Sequence, residues 1–280
     1  MSAFNGFSTN RPASGIKSFF ESNSLVAKFA FLLLVIFIFI ILLRLGIMMI
    51  TGLFIRNNSP HLIDGMIDGK QSLVITQDPS GKNSKTIYRS VNARDGIEFT
   101  WSVWIYINDL QYQSGQYRHI FHKGNNRILQ NGMNFPNNAP GLYIAPDTNA
   151  LHLIMNTFTE INEEIVISDI PMNKWVNVII RCENTTLDVY VNGTISRSLQ
   201  LSGVPKQNYG DVFMALNGGF DGFISNLWYF GYALGTAAIQ NLVHQGPNTT
   251  QANSSNINYK KSDYLSLKWY FTGSNNMFNP

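Results

Sequence analysis

Residues 173–193 read N-K-W-V-N-V-I-I-R-C-E-N-T-T-L-D-V-Y-V-N-G, and they encode two strands and the start of a hairpin. Val176, Val178, Ile180 and Cys182 alternate with more polar neighbours, and Leu187, Val189 and Val191 do the same after a polar turn at 183–185. Asn192-Gly193 follows, a pair suited to the positive φ angles of a type I′ turn, and the next strand continues from Thr194. A period of two puts the apolar side chains on one face, so these are half-buried strands of an antiparallel sheet.

The same pattern extends outward. In 97–107 the set Ile97, Phe99, Trp101, Val103, Ile105 and Ile107 is assigned to the core, and Glu98, Thr100, Ser102, Trp104 and Tyr106 face outward or line a concave sheet. Segments 72–76 and 86–91 are expected as the first strands, separated by the turn-rich D-P-S-G-K-N-S-K. Segments 141–145, 151–158 and 164–170 continue the sheet. The Asn-rich stretch 125–140, with Gly132, Pro136 and Pro140, is a long loop, and such loops at a sandwich rim are where binding resides. Thr236 is expected to cap a short helix through Leu242, with Ile239 and Leu242 packing inward.

The signature W-x-x-V at 175–178 with L-x-V-Y-V-N-G at 187–193 resembles the laminin G-like and concanavalin A-like jelly-roll domains. F-T-W-S-V-W-I-Y at 99–106 resembles the family's early strand, and H-I-F-H-K-G at 119–124 the strand ending in Lys-Gly. Residues 220–234, then 237–242, resemble its final strand and short helix. The resemblance spans 71–246 and implies an all-β, concanavalin A-like antiparallel β-sandwich. It implies no single activity, because this fold carries lectins, glycosidases, adhesion modules and scaffolds.

Ahead of this domain lies an apolar segment. Between Leu25 and Leu43 the only charge is Lys28, and F-A-F-L-L-L-V-I-F-I-F-I-I-L-L is apolar on every helical face. At about 1.5 Å per residue it reaches roughly 28 Å, against a hydrocarbon core of about 30 Å. A transmembrane helix is favoured over a buried core helix, because a β-sandwich offers no all-round apolar surroundings. A cleaved signal peptide is disfavoured by the length of the run and by the lack of a small-x-small cleavage site. Arg44 would cost about 2.5–3.5 kcal/mol at mid-bilayer, which places it near an interface. The helix is therefore set at 25–45, with 46–55 as its continuation or an interfacial segment. Arg11, Lys17 and Lys28 against Glu21 favour a cytosolic amino terminus and a lumenal or external domain.

The organisation expected is a polar arm at 1–24, the membrane segment at 25–55, a juxtamembrane linker at 56–70, the sandwich at 71–246, and a connector with a carboxyl-terminal strand at 247–280. The formal net charge of +3, from 20 basic and 17 acidic side chains, gives no basic run that would call for nucleic acid. The single Cys182 excludes an intramolecular disulfide, and its parity with Val178 and Ile180 points it inward as a small hydrophobe. Asn57, Asn184, Asn192, Asn248 and Asn253 begin N-x-Ser/Thr, with Asn248 and Asn253 the most accessible candidates for glycosylation, although the hairpin turn already requires Asn192.

Catalytic patterns are missing. Glucanases that resemble this fold carry Glu-x-Asp-x-x-Glu on one strand, and no Glu-x-Asp occurs in this sequence. Glu163 and Glu164 are adjacent, so on a strand they point to opposite faces. His119 and His122, three apart in a strand, are expected on opposite sides, which argues against a metal pair. Calcium is the ion the resemblance leaves open, with Asn217, Asp221 and Asp147 as candidate ligands, although Ser225-Asn226 replaces the family's acidic pair. No other cofactor is expected.

At the carboxyl end, 264–271 alternates Leu265, Leu267, Trp269 and Phe271 against Tyr264, Ser266, Lys268 and Tyr270. It reads as a strand returning beside the amino-terminal strand, or as a docking segment that buries Trp269 and Phe271 in another protein. Together these features predict a non-enzymatic, single-pass membrane protein that binds or scaffolds. An Asn-rich, cysteine-poor sandwich on a short anchor resembles the membrane-associated structural proteins of large DNA viruses, which implies a minor capsid protein tethering an internal virion membrane to its shell or coat. The alternative is a membrane-anchored lectin that stacks a glycan on Trp104 and Tyr106.

Overall fold

The computed structural model describes residues 25–54, 58–81, 83–90 and 93–252. The chain divides between Arg56 and Asn57 into two units. The first contains helix α1, Leu25–Phe54, a single helix, so of the two alternatives for 46–55 its described part, 46–54, continues the helix. Within it, Lys28–Ile50 is long and apolar enough to cross a membrane, with 23 residues and mean hydropathy 3.0, and none of it is buried. A signal sequence would meet the same test.

The second unit is a sandwich of two six-stranded antiparallel sheets. In chain order its strands are β1 His61–Asp68, β2 Leu73–Ile75, β3 Glu98–Asp109, β4 Arg118–Gly124, β5 Gly141–Ile144, β6 Ala150–Met155, β7 Glu163–Ser168, β8 Trp175–Glu183, β9 Thr186–Val191, β10 Thr194–Gln200, β11 Asp211–Met214 and β12 Asp221–Phe230. Helix α2, Thr236–Gln245, follows. The first sheet runs β1-β12-β3-β8-β9-β10 and the second β2-β11-β4-β5-β6-β7. The alternating sets of β3, β8 and β9 meet those of the second sheet in one core, in which Trp101 lies 5.5 Å from Phe121 and 5.1 Å from Tyr229, ring to ring. Cys182 is buried there, and burial pushes its thiol up to about 12.

Four expectations are corrected. Residues 61–68 form an edge strand of the first sheet where a linker was expected. Its register shifts between Ile63 and Met66, and Gly65, at φ 108°, allows a close approach: a Cβ there would sit 2.7 Å from the carbonyl of Thr250. That approach is the second correction. Residues 247–252 are no loose connector, because Thr250, Gln251 and Ala252 run parallel to β1, with hydrogen bonds from Met66 N to Thr250 O and from Ala252 N to Met66 O. Third, residues 86–90 form no strand; Gln77 instead donates to Lys85 O and accepts from Ile87 N. Fourth, the α2 N-cap is Gly235 and Thr236 is its first helical residue.

The strand registers define two ends. His61, Phe230, Glu183 and Gln200 share one end of the first sheet. Leu201 N donates to Thr185 O and Ser202 N to Glu163, which bring the start of β7 to that same end. It is called the entry end because β1 begins there. Tyr106, Trp175 and Phe223 lie at the far end.

Each sheet also has an outer face that the chain itself covers in part. On the first sheet, Ile239 of α2 packs with Ile179, Phe230 and Leu234. On the second, the 125–140 loop folds back: Asn134 and Asn138 are fully buried there. The expectation of an open binding loop at 125–140 is corrected for Asn125, Asn134 and Asn138, whose amides bond within the fold, while Asn126, Asn131 and Asn137 stay exposed.

Candidate functional site

Antiparallel pairing aligns β8, β3 and β12 so that Trp175, Tyr106 and Phe223 stand in one row across the first sheet, on the face opposite the core residues Ile105, Val176 and Ile224. The Tyr106 ring lies 5.5 Å from Trp175 and 6.3 Å from Phe223, edge to face in both cases. All three remain partly exposed. Tyr106 was a candidate from the sequence; its two partners were not, although Trp175 opened the quoted motif.

Trp104 is the neighbouring row, opposite Asn177 and Ser225, and it is only 7% exposed. This corrects its assignment as an open stacking face. Ser225 Oγ donates to Asn248 O and Asn226 Nδ2 to Gly246 O, so the segment leaving α2 crosses the sheet at this level. Beside it Asn177 Nδ2 donates to Ser102 Oγ and Val103 O, while Asn177 Oδ1 is buried without a hydrogen-bond partner. Trp269, Phe271 and Asn253 lie outside the described residues.

The calcium candidates do not fit a divalent cation. Asp221 is 3.2 Å from Lys70 Nζ and accepts from Asn108 Nδ2, and these two contacts, the Asn108 hydrogen bond first, hold its carboxyl below the usual range. Asn217 donates its amide to Gln116 Oε1, and Asp147 is exposed on the β5–β6 turn. A carboxylate already compensated by an ammonium offers a second cation little. Among the described residues no three His, Cys, Asp or Glu side chains converge.

The histidines overturn the parity argument. The β4–β5 register shifts between His119 and Phe121, and the bulge returns both imidazoles to one side, with His119 Nε2 and His122 Nδ1 2.7 Å apart. Leu216 N donates to His119 Nδ1, so His119 Nε2–H donates to His122 Nδ1, and His122 Nε2–H donates to Asn125 O. Each ring nitrogen is thereby assigned and both rings are neutral. Burial lowers both pKa values, that of His122 to about 4. This is a structural relay under the Asn loop rather than an open metal site.

At the entry end, a cleft opens between the sheets, lined by Trp101, Tyr229, Tyr88, Lys123, Gln207 and Asn208 among others. Lys123 donates to Asn208 O and Gly210 O, and burial lowers its ammonium to about 8.

The acidic pair stands as parity requires. Glu163 accepts from Ser202 N and Oγ, while Glu164 pairs with His152 on the other side. Of the sequons, Asn192 Oδ1 accepts from Asn177 N and Asn248 Nδ2 donates to Asp64, whereas Asn184 is exposed at a turn.

Residues 79–240 match the concanavalin A-like lectin/glucanases superfamily in its laminin G-like form, over more than half of the sequence, and the chain belongs to that family. No curated protein matches it. Among solved structures it is similar to the receptor-binding domain of botulinum neurotoxin D, at 12% identity and TM-score 0.46, covering 67% of this chain and 48% of that one. It is also similar to the receptor-binding domain of the botulinum neurotoxin C/D mosaic serotype, at 16% identity and TM-score 0.43, covering 53% and 36%. The chain thus spans less than half the length of either, and no ligand follows from likenesses at this level.

Proposed function

We propose that this chain is a non-enzymatic, membrane-anchored binding protein that holds a protein partner beside the membrane, in the manner of a minor structural protein tethering an internal membrane to a shell. The observation that carries it is the row Trp175–Tyr106–Phe223, the partly exposed aromatic strip on a sheet face that α2 and residues 246–248 cover in part. Aromatic side chains with few open hydrogen-bonding groups suit the centre of a protein interface. Sugar recognition needs convergent polar groups as well, and Asn177 Nδ2 and Ser225 Oγ are already engaged. Helix α1 supplies the anchor, and the carboxyl segment 264–271 adds contacts.

Crosslinking the full-length protein in its native membrane, with mass spectrometry of its neighbours, tests this. A shell or coat protein that is recovered with the wild type and lost from Trp175→Ala and Phe223→Ala supports the tether. Undiminished recovery from both variants refutes it. The width of the aromatic row supports a second reading, a lectin that stacks pyranose faces. Neighbours that are glycoproteins, released by competing sugar and lost from Tyr106→Ala, would establish that reading instead.

A further inference from the structure

At the entry end two loops present an apolar tip. Phe158, on the β6–β7 loop, is 73% exposed, Ile161 46% and Val204 42%, while Tyr209, on the β10–β11 segment, is 83% exposed. The loops are locked together: Phe158 N donates to Val204 O, Lys206 N donates to Asn156 O, and Thr157 bridges Pro205. Lys206 Nζ lies 5.6 Å above the Phe158 ring. Exposed aromatics and aliphatics on a rigid backbone, with an ammonium beside them, match the interfacial layer of a bilayer, where rings lie among headgroups and lysine reaches phosphate.

A chain of contacts ties this tip to the point at which the polypeptide enters the sandwich. Gly231 N donates to Asn58 O, and Tyr229 Oη donates to Tyr88 O. Tyr229 and Tyr88 share the entry-end cleft with Gln207, the residue after Lys206. In sequence, only residues 55–57 separate the last residue of α1 from Asn58.

We propose that the Phe158–Ile161–Val204–Tyr209 tip is a second membrane contact, dipping into the interfacial layer of the bilayer that α1 crosses. The proposal rests on the reading of α1 as a membrane anchor. The contact holds the sandwich in one orientation and leaves the aromatic row, at the far end, directed away from lipid.

Site-directed spin labelling of the full-length protein in phosphatidylcholine vesicles tests it. Cys182 is buried with its thiol pushed up to about 12, so an introduced cysteine takes the label selectively. Labels go on Val204→Cys and, as a far-end control, on Ile195→Cys, which is 52% exposed on β10. The expected result is a label at 204 that collides with dissolved oxygen about tenfold more than with a water-soluble nickel chelate, relative to the label at 195. Phe158→Ser should reduce that preference by about tenfold, the loss expected for one aromatic anchor. A label at 204 as water-exposed as that at 195, in protein that resists carbonate extraction, overturns the tip contact and leaves the anchor standing. Extraction by carbonate overturns the anchor, and the tip contact with it.

Discussion

The outer faces of the two sheets are each covered in part by the chain itself, but by opposite chemistry. On the first sheet, α2 places Ile239 on Ile179, Phe230 and Leu234. On the second, the 125–140 loop is held by a buried polar network: Tyr143 Oη donates to Asn138 Oδ1, Asn138 Nδ2 to Asn134 O, and Asn156 Nδ2 to Pro136 O and Ile161 O. An apolar cover tolerates imperfect fit and ignores proton concentration. A polar cover stabilises only while each member keeps its partner, since a buried group left alone costs about 1–3 kcal/mol. The two faces should therefore fail differently.

The largest expected effect is on the polar side. Asn156→Leu removes the acceptor for the buried Asn138 N and the donor to Pro136 O and Ile161 O, which are partly buried, leaving all three without those partners. Thermal unfolding of the full-length protein should show a loss of about 4 kcal/mol. A loss under about 1 kcal/mol would show that water replaces the amide and that the network is not closed.

Acidification comes next. His122 is neutral when folded, with its pKa lowered by burial to about 4, and burial and the neighbouring His122 lower that of His119 well below its ordinary value. As pH falls from the unfolded histidine value of about 6.5 towards 4, the unfolded chain takes up protons that the fold refuses, so stability falls with pH by on the order of 3 kcal/mol for His122 alone. His122→Leu should be less stable at pH 7, yet its urea midpoint should depend less on pH across this window. An unchanged slope would remove the relay from the account.

The apolar face supplies the comparison. Ile239→Ala should cost about 2 kcal/mol, since the small cluster around it closes partly over the missing atoms. The cost should be equal at pH 7 and pH 5. A cost that grows on acidification would couple the two faces and end the distinction.

These faces were unequally legible in the sequence. The alternation in 97–107 and 173–193 assigned β3, β8 and β9 their core sides, because one residue of parity decides which face is buried. Ile239 and Leu242 were identified as the inward side of α2 by their helical spacing. The His119–His122 contact was hidden because it depends on a bulge, and one inserted residue reverses the parity argument without leaving a compositional mark. The 61–68 strand was masked by Pro60, Gly65 and Gly69, which read as linker residues; Gly65 is needed for the close approach of Thr250. The aromatic row eluded sequence reading for a similar reason. Trp175, Tyr106 and Phe223 come from three distant segments, and only strand register makes them neighbours. Trp104 has the outward parity expected of it, but parity does not reveal what lies across a face.

The smallest effect gives the cleanest test, because the same atom can be deleted on both sides. Tyr143 Oη donates to Asn138 Oδ1 at 2.6 Å and accepts from Asn134 N, so Tyr143→Phe strands a buried acceptor and a buried donor and should cost about 1–2 kcal/mol. Tyr190 packs partly buried against the Ile239 cluster, and Tyr190→Phe keeps that packing, so its cost should stay within about 0.5 kcal/mol. The difference between the two variants, measured by urea unfolding at pH 7, isolates what a hydroxyl contributes beneath a polar cover from what it contributes beneath an apolar one. Equal costs would mean that both covers are held by packing, with the Asn network a passenger on it.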